Sequence, residues 1–296
     1  MREWKVTQNC TLKEFTDTHD PQASFVFSAL IKSRDIKVNG VRQTMPDARL
    51  FAGDTVRYYL TEKQREKPAF YVAYEDNNLL VADKESGVNS EAVFAMLSRA
   101  DYPAEKTGEE EEREAETSEK AVYFIHRLDR NTRGLLLFAR TAEAAEAAKK
   151  AFKERATEKI YLAVCANRFS VNAAVKEAYL KKDNERALVR VTDEKETGSE
   201  KIKTQYEVLE KKGDLALCKI ILHTGKTHQI RAHMAHLGCP VLGDTKYGDK
   251  ALNERYKKTR QCLLAKSLTL HFPPCSPLYY ADGKTFVSRF DLTLSR

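Results

Sequence analysis

The stretch FIHRLDRNTRG, residues 124 to 134, follows the apolar AVYF and runs into LLLFAR, so that His126, Arg127, Asp129 and Arg130 share one short connection. A carboxylate among guanidinium groups stays ionised, which suits a nucleophile or a base and not a proton donor. The same company also makes an ordinary Asp–Arg ion pair, and spacing alone does not separate the two. A second concentration lies in HTGKTHQIRAHMAHLG, where His223, His228, His233 and His236 fall within 14 positions. His233 and His236 can share a helix face. However, the stretch has no acidic residue to complete a hydrolytic zinc set, and the five-residue step from His228 to His233 turns those two apart, so no metal site is expected. GKT echoes the end of a phosphate-binding loop, but the pattern needs glycine where this chain has Ile220. Tyr161 in KIYLAV and Arg231 in HQIRAH read, taken singly, as a strand tyrosine with a satisfied hydroxyl and a surface helix arginine.

These residues need elements to hold them. LLVADKESG, AVYFIH, GLLLFAR, KIYLAVC, LALCKIIL and KTFVSRFDLTL read as strands. TAEAAEAAKKAFKER reads as a helix with Thr141 as N-cap and Ala144, Ala148 and Phe152 on one stripe, and TGKTHQIRAHMAHLG as a glycine turn entering a helix that Gly238 ends. Runs of strands with few inserted helices, without strict alternation, predict an α+β domain on a mixed, largely antiparallel sheet. The first 60 residues have a pattern of their own. TLKEFTDTH and ASFVFSALIKSR space apolar residues as amphipathic helices, DIKVNG is a strand closed by an Asn39–Gly40 turn, and RLFAGDTVRYYL is a strand entered through a Gly53–Asp54 turn. Lys32, Arg34, Lys37 and Arg42 crowd one junction of this module, a pattern expected of phosphate contacts and also of ordinary solubilising charge. Residues 61 to 69, polar and with a proline, form the linker to a larger domain over 70 to 296.

Composition narrows the classes. Six scattered cysteines without a CxxC pair read as reduced thiols, and no segment approaches the roughly 20 apolar residues of a membrane span, so a soluble, cytoplasmic protein is expected. The net charge of +7 hides an asymmetry: residues 105 to 120 hold eight Glu against three basic residues, a local charge of −5 that leaves +12 on the rest. That run reads as a surface insertion with too little apolar content to fold, and the remaining surface as basic enough for a polyanion.

Together the motifs say more than any one of them. HRLDRNTRGLLLFAR, KIYLAV, TGKTHQIRAHMAHLGCPVLGDTKYG and RQCLLAKSLTLHFPP, in that order, closely resemble the motifs of the RluA family of pseudouridine synthases over roughly residues 70 to 295. DIKVNG and AGDTVRYYL resemble, over about 50 residues, the small RNA-binding module named after ribosomal protein S-four. The resemblance implies a pseudouridine synthase fold preceded by a helix–helix–sheet RNA-binding domain, and an isomerase that turns uridine in structured RNA into pseudouridine without cofactor or metal. By this resemblance Asp129 is the essential aspartate, Arg231 pairs with it, and Tyr161 stacks on the target base and takes the C5 proton. Leu263 lines the uracil pocket with His126 and His228, Arg127 fills the space left by the flipped base, and Arg130 and Lys226 join the RNA contacts. Whether Asp129 attacks covalently or removes a sugar proton stays open. The implied partner is RNA, ribosomal before transfer RNA, met by a monomer. The rival reading is a non-catalytic RNA-binding or ribosome-assembly factor that keeps the fold. The chain departs from the family pattern beside these residues: KESG at Lys84 to Gly87 for KP-x-G, TRG at Thr132 to Gly134 for TSG, TGKTHQIR for TGRTHQIR, and LLA at Leu263 to Ala265 for LHA.

Overall fold

The computed structural model describes residues 1–66, 68–98, 121–183 and 188–294; the Glu-rich run at 105–120 lies outside them. The N-terminal part comprises β1 (Arg2–Lys5), β2 (Cys10–Thr11), α1 (Leu12–His19), α2 (Pro21–Ser33), β3 (Ile36–Val38), β4 (Val41–Arg42), β5 (Arg49–Leu50) and β6 (Thr55–Tyr58). Its strands order as β1-β6-β3-β4, with β2 and β5 paired separately. Both helices begin on side-chain caps. Thr11 and Glu14 form a capping box on α1, and Asp20 accepts from Ala23 N at 2.9 Å, leaving Pro21 at the first turn of α2, where no amide hydrogen is missed. The single strand expected across RLFAGDTVRYYL is two, β5 and β6, because Gly53 turns at φ +97° and the Asp54 carboxylate takes the Phe51 amide at 2.8 Å.

A short helix, α3 (Glu62–Glu66), stands in the segment expected to be linker. The large part then runs β7 (Phe70–Glu75), β8 (Leu79–Lys84), α4 (Ser90–Leu97), β9 (Tyr123–Phe124), β10 (Arg133–Ala139), α5 (Ala142–Glu154), β11 (Thr157–Ala166), β12 (Ala173–Asp183), β13 (Leu188–Thr192), β14 (Glu200–Lys212), β15 (Leu215–Leu222), α6 (Gln229–His236), α7 (Lys250–Arg255), β16 (Leu263–Leu270) and β17 (Thr285–Val287). These strands make one sheet in the order β13-β12-β14-β15-β11-β16-β10-β8-β7, with β9 on β10 and β17 on β16. Of its pairings, β10–β16 is parallel and the others are antiparallel. The α+β class and the mixed, largely antiparallel sheet are therefore as expected.

β10 is the pivot. Gly134 opens it opposite Ala265 at φ +112°, and a Cβ there would sit 2.2 Å from the Ala265 carbonyl oxygen, so glycine is required for the strands to meet. Alternation then sends Leu135, Leu137 and Ala139 to one face, against Ala144, Ala145, Ala148 and Ala151 of α5, and Leu136 and Phe138 to the other, against Val93 and Leu97 of α4. The second core also takes in Phe25 from α2, so the N-terminal helices pack into the large part. β9 ends sooner than AVYFIH predicts. Beyond Phe124, which pairs with Phe138, the His126 ring folds back and its Nε2 accepts the Leu137 amide at 3.0 Å, replacing the next backbone bond. The chain is thereby freed to form the loop from 125 to 132. No helix among the described residues is long and apolar enough to cross a membrane.

Candidate active site

The 125–132 loop is held from beneath by the turn after β8. Lys84, fully buried, donates through Nζ to the carbonyls of Val88 at 2.9 Å and Arg130 at 3.1 Å, and Gly87 N donates to the same Arg130 carbonyl at 2.9 Å. Ser86 Oγ donates to Asn131 O at 2.9 Å, and Ser90 Oγ both accepts from Leu128 N and donates to Leu128 O. Burial pushes the Lys84 ammonium down to about 7, with the nearby Asp129 charge working the other way. Gln261 Nε2 closes the far end on Thr132 Oγ1 at 2.7 Å. Two of the four departures from the family pattern meet here: Glu85 and Arg133 form an ion pair at 2.6 Å. Glu85 also donates its amide to Ala69 O at 2.9 Å, a bond that proline in this position has no hydrogen to make.

Asp129 projects from this loop into a pocket of about 290 Å³ whose walls include Tyr161, Leu263, His126, Arg127, His228, Lys226 and Arg231. Arg231 Nη1 donates to Asp129 Oδ2 at 2.8 Å. The other edge of the same guanidinium is clamped by Asp244, Nε to Oδ2 at 2.7 Å and Nη2 to Oδ1 at 2.9 Å. Burial opposes the Arg231 charge, but its bonds to Asp244 and then to Asp129 outweigh that and raise it above the usual guanidinium range. For Asp244 burial works upward, and Arg231 with the amides of Lys246 and Tyr247 holds it below the usual carboxylate range. Asp244 is 2 % exposed, so this arginine is fixed before any substrate arrives. It is the functional residue that reading the sequence missed. The signal was present in GDTKYG: a buried arginine that must point one way needs a second anion behind it.

α6 carries Arg231 and owes its position to polar side chains. Gln229, buried, ties the preceding turn to β14 by accepting from Thr224 Oγ1 at 2.8 Å and donating to Thr204 Oγ1 at 3.0 Å. At the far end Gly238, at φ +78°, allows Cys239 N to reach Met234 O and Gly238 N to reach Ala235 O, which satisfies the last carbonyls. His228, just before α6, takes the left-handed conformation at φ 53°, a costly one for a non-glycine residue. Its Nδ1 is 2.9 Å from Tyr247 Oη, which itself accepts the Val189 amide, and its Nε2 lies 3.9 Å from Asp129 Oδ1. Burial lowers the His228 imidazole, with Asp129 opposing. A neutral ring that accepts from Tyr247 presents its Nε2 hydrogen toward Asp129.

Tyr161 and Leu263 come from adjacent strands. Tyr161 stands opposite Ala265 and Leu263 opposite Ala163, so alternation puts both side chains on the α4 and α6 face. Tyr161 is 8 % exposed; burial first, and the Asp129 charge second, push its phenol well above the usual range. It therefore presents a neutral hydroxyl. To take a proton from a substrate carbon it must hand its own on in the same event, which narrows the simple base expected from the sequence.

Other expected residues have different surroundings. His126 lines the pocket, yet its Nε2 is committed to Leu137, its ring stacks on Phe152 with centroids 4.5 Å apart, and burial pushes it down to about 3. Arg127 is on the rim, its side chain 71 % exposed and 3.3 Å from Glu91. Lys226 lines the mouth and pairs with Glu200. Arg130, read from the sequence as an RNA contact, points away from the pocket: Nη2 donates to Ser24 O at 2.9 Å and Nη1 lies 3.4 Å from Asp17. Its guanidinium serves the junction with α1 and α2, a role that sequence proximity to Asp129 gives no sign of. Lys32, Arg34, Lys37 and Arg42 lie outside the pocket. Lys37 stands directly opposite Arg42 across β3–β4, on the face away from the buried Ile36 and Val38. Among the described residues none of these four makes an ion pair, and no group of three His, Cys, Asp or Glu residues is placed to hold a metal ion.

Comparison with known proteins adds a name to this geometry. The family model for RNA pseudouridylate synthase matches residues 78–236. The ribosomal large subunit pseudouridine synthase C of Vibrio cholerae is 27 % identical over 240 residues, covering 75 % of this chain and 71 % of that one. An uncharacterised RNA pseudouridine synthase of Aquifex aeolicus is 30 % identical over 242 residues, covering 75 % and 71 %. Among solved structures, human RNA pseudouridylate synthase domain containing 1 shares the fold, with a TM-score of 0.55 at 23 % identity over 77 % of this chain and 94 % of its own.

Proposed function

The chain belongs to the RNA pseudouridylate synthase family, and from that premise we propose that its pocket isomerises a uridine of ribosomal RNA through Asp129, Arg231 and Tyr161. The observation that carries the assignment of residues is the chain of contacts Asp244–Arg231–Asp129, which aims one solvent-reachable carboxylate oxygen into a pocket walled by Tyr161 and Leu263. The target base leaves its stack and enters against Tyr161, with Leu263 beside it on the same face of the sheet. Asp129 acts on the ribose, at C1′ as nucleophile or at C2′ as base, and the C1′–N1 bond breaks. The freed uracil rotates and C5 bonds to C1′, as the Asp129–C1′ bond breaks on the first route or as the C2′ proton returns from Asp129 on the second. The C5 proton then passes by way of the Tyr161 oxygen while N1 gains one, so atoms balance with uracil retained throughout.

Ribosomal RNA is favoured because relatives of this length bear that substrate in their names, and the chain covers over two thirds of them. The N-terminal module adds RNA affinity through the Lys37–Arg42 face, and the enzyme works as a cytoplasmic monomer. The test is tritium release from ribosomal and transfer RNA transcripts labelled at uracil C5. Wild-type protein releases label from ribosomal RNA, and Asp129→Ala does so about a thousandfold more slowly while binding equally well. Binding without release by the wild type would favour the assembly-factor reading, and free uracil among the products would make the enzyme a hydrolase.

A further inference from the structure

A second groove, about 550 Å³, opens beside the base pocket and shares Lys159 and Leu222 with it. Its basic lining is Arg155, Lys159 and Lys203 with the imidazoles of His223 and His271, and its one carboxylate is Glu158. Most of these groups already have a partner. Lys203 lies 3.9 Å from Glu177, His271 Nδ1 is 3.7 Å from Asp282, and His223 Nε2 meets Gln205 Oε1 at 3.2 Å. Glu158 is exposed and, by strand alternation, belongs to the opposite face of β11 from Lys159.

Lys159 and Arg155 are different. Neither makes an ion pair among the described residues, and the charged neighbour that Lys159 feels is Arg155, a second cation. The Lys159 ammonium rests 5.2 Å from the centre of the Phe152 ring, on the wall common to both cavities. A half-buried cation beside another cation, with no ion-pair partner among the described residues, is an unfavourable arrangement unless a ligand brings the charge. The ligand's position follows from the strand. Lys159 precedes Tyr161 by two residues and shares its face, so the two side chains stand about 7 Å apart along β11. That separation matches the distance from a nucleobase to the phosphate of its own backbone, and phosphodiesters are what paired cations in RNA-binding grooves take up.

We propose that Lys159 and Arg155 form a subsite for the phosphodiester flanking the flipped uridine, and that the groove beyond them carries the RNA backbone out of the site. This rests on the reading of the first pocket as the uridine site.

The test uses full-length protein and in vitro transcribed large-subunit ribosomal RNA labelled at uracil C5, with turnover and filter binding measured over a salt series. Lys159→Gln raises KM at least tenfold, leaves kcat at saturating RNA within threefold, and flattens the dependence of log Kd on log salt by about one unit; Lys159→Arg keeps the wild-type slope. Arg155→Gln, at an exposed position, shows the same slope change and decides the matter should the Lys159 variant fail to fold. An unchanged salt slope in both variants, or a loss confined to kcat, overturns the subsite and leaves Lys159 a prop for Phe152. If the wild type releases no label, the uridine reading fails by itself, and the binding slopes still decide the phosphate contact.

Discussion

Arg231 touches two carboxylates of unequal standing: Asp129, whose side chain is 24 % exposed in the pocket, and Asp244, which is buried and makes two of the three bonds. Asp244 thus sets the direction in which the guanidinium offers its remaining hydrogens. Asp244→Asn keeps the shape but strips one anion from a buried cation, which costs about 3 kcal/mol of stability at neutral pH. Turnover falls about a hundredfold through misplacement of Asp129, with RNA affinity nearly unchanged. The pH dependence has a definite sign. The Asp244 carboxyl is depressed in the folded protein, so its stabilisation is complete above the unfolded value, about 3.9, and is lost as pH falls through the folded one. Denaturant titrations of both proteins should therefore show a gap at pH 7 that narrows below pH 4. A gap of constant size would mean that Asp244 acts by packing alone.

At the scale of elements, the loop bearing Asp129 is braced on two sides. The turn after β8 holds its carbonyls, and α1 and α2 hold Arg130 through Asp17 and Ser24 O, where Asp17 also binds Lys13 and Ser24. The N-terminal helices are part of the mounting of the Asp129 loop. Asp17→Asn and Arg130→Gln should each slow single-turnover isomerisation about tenfold, equivalent to about 1.4 kcal/mol, with RNA affinity within twofold, and the double variant should be no slower than either. Additive losses, or a loss seen only in affinity, would sink this account. None of it was legible beforehand, because the contact joins residues 113 apart and nothing local marks Arg130 as bound for Asp17 instead of RNA. The same limit hid the Glu85–Arg133 pair: two departures from the family pattern were visible singly, and only the fold shows that each is the other's partner. What could be read was local. Thr141 caps α5 as its spacing before the alanine stripe predicts, and Gly238 ends α6. β12 and β14 went unseen because their alternation is carried by exposed charged residues, with few apolar ones to mark a buried face.

Across the whole molecule, two basic surfaces lie outside the Asp129 pocket. One is the groove at Lys159 and Arg155; the other is the module face with Lys37 opposite Arg42, flanked by Lys32 and Arg34 near the end of α2. Arg57 lies in register beside Lys37 on that sheet but is paired with Glu3, whereas the other four make no ion pair among the described residues. The two surfaces should be separable, since electrostatic contacts far from the reacting atoms hold the RNA equally in the ground and transition states and so act on affinity without acting on kcat. Replacing Lys32, Arg34, Lys37 and Arg42 together by Gln should flatten the dependence of log Kd on log salt by about three units while kcat at saturating ribosomal RNA stays within twofold. The measurement is filter binding from low to moderate salt, paired with tritium release at saturation. A flattened slope with intact kcat makes the module a grip on RNA distant from the target uridine. An unchanged slope removes the module from the interface and leaves its bracing of the Asp129 loop as the reason it is packed into the catalytic core.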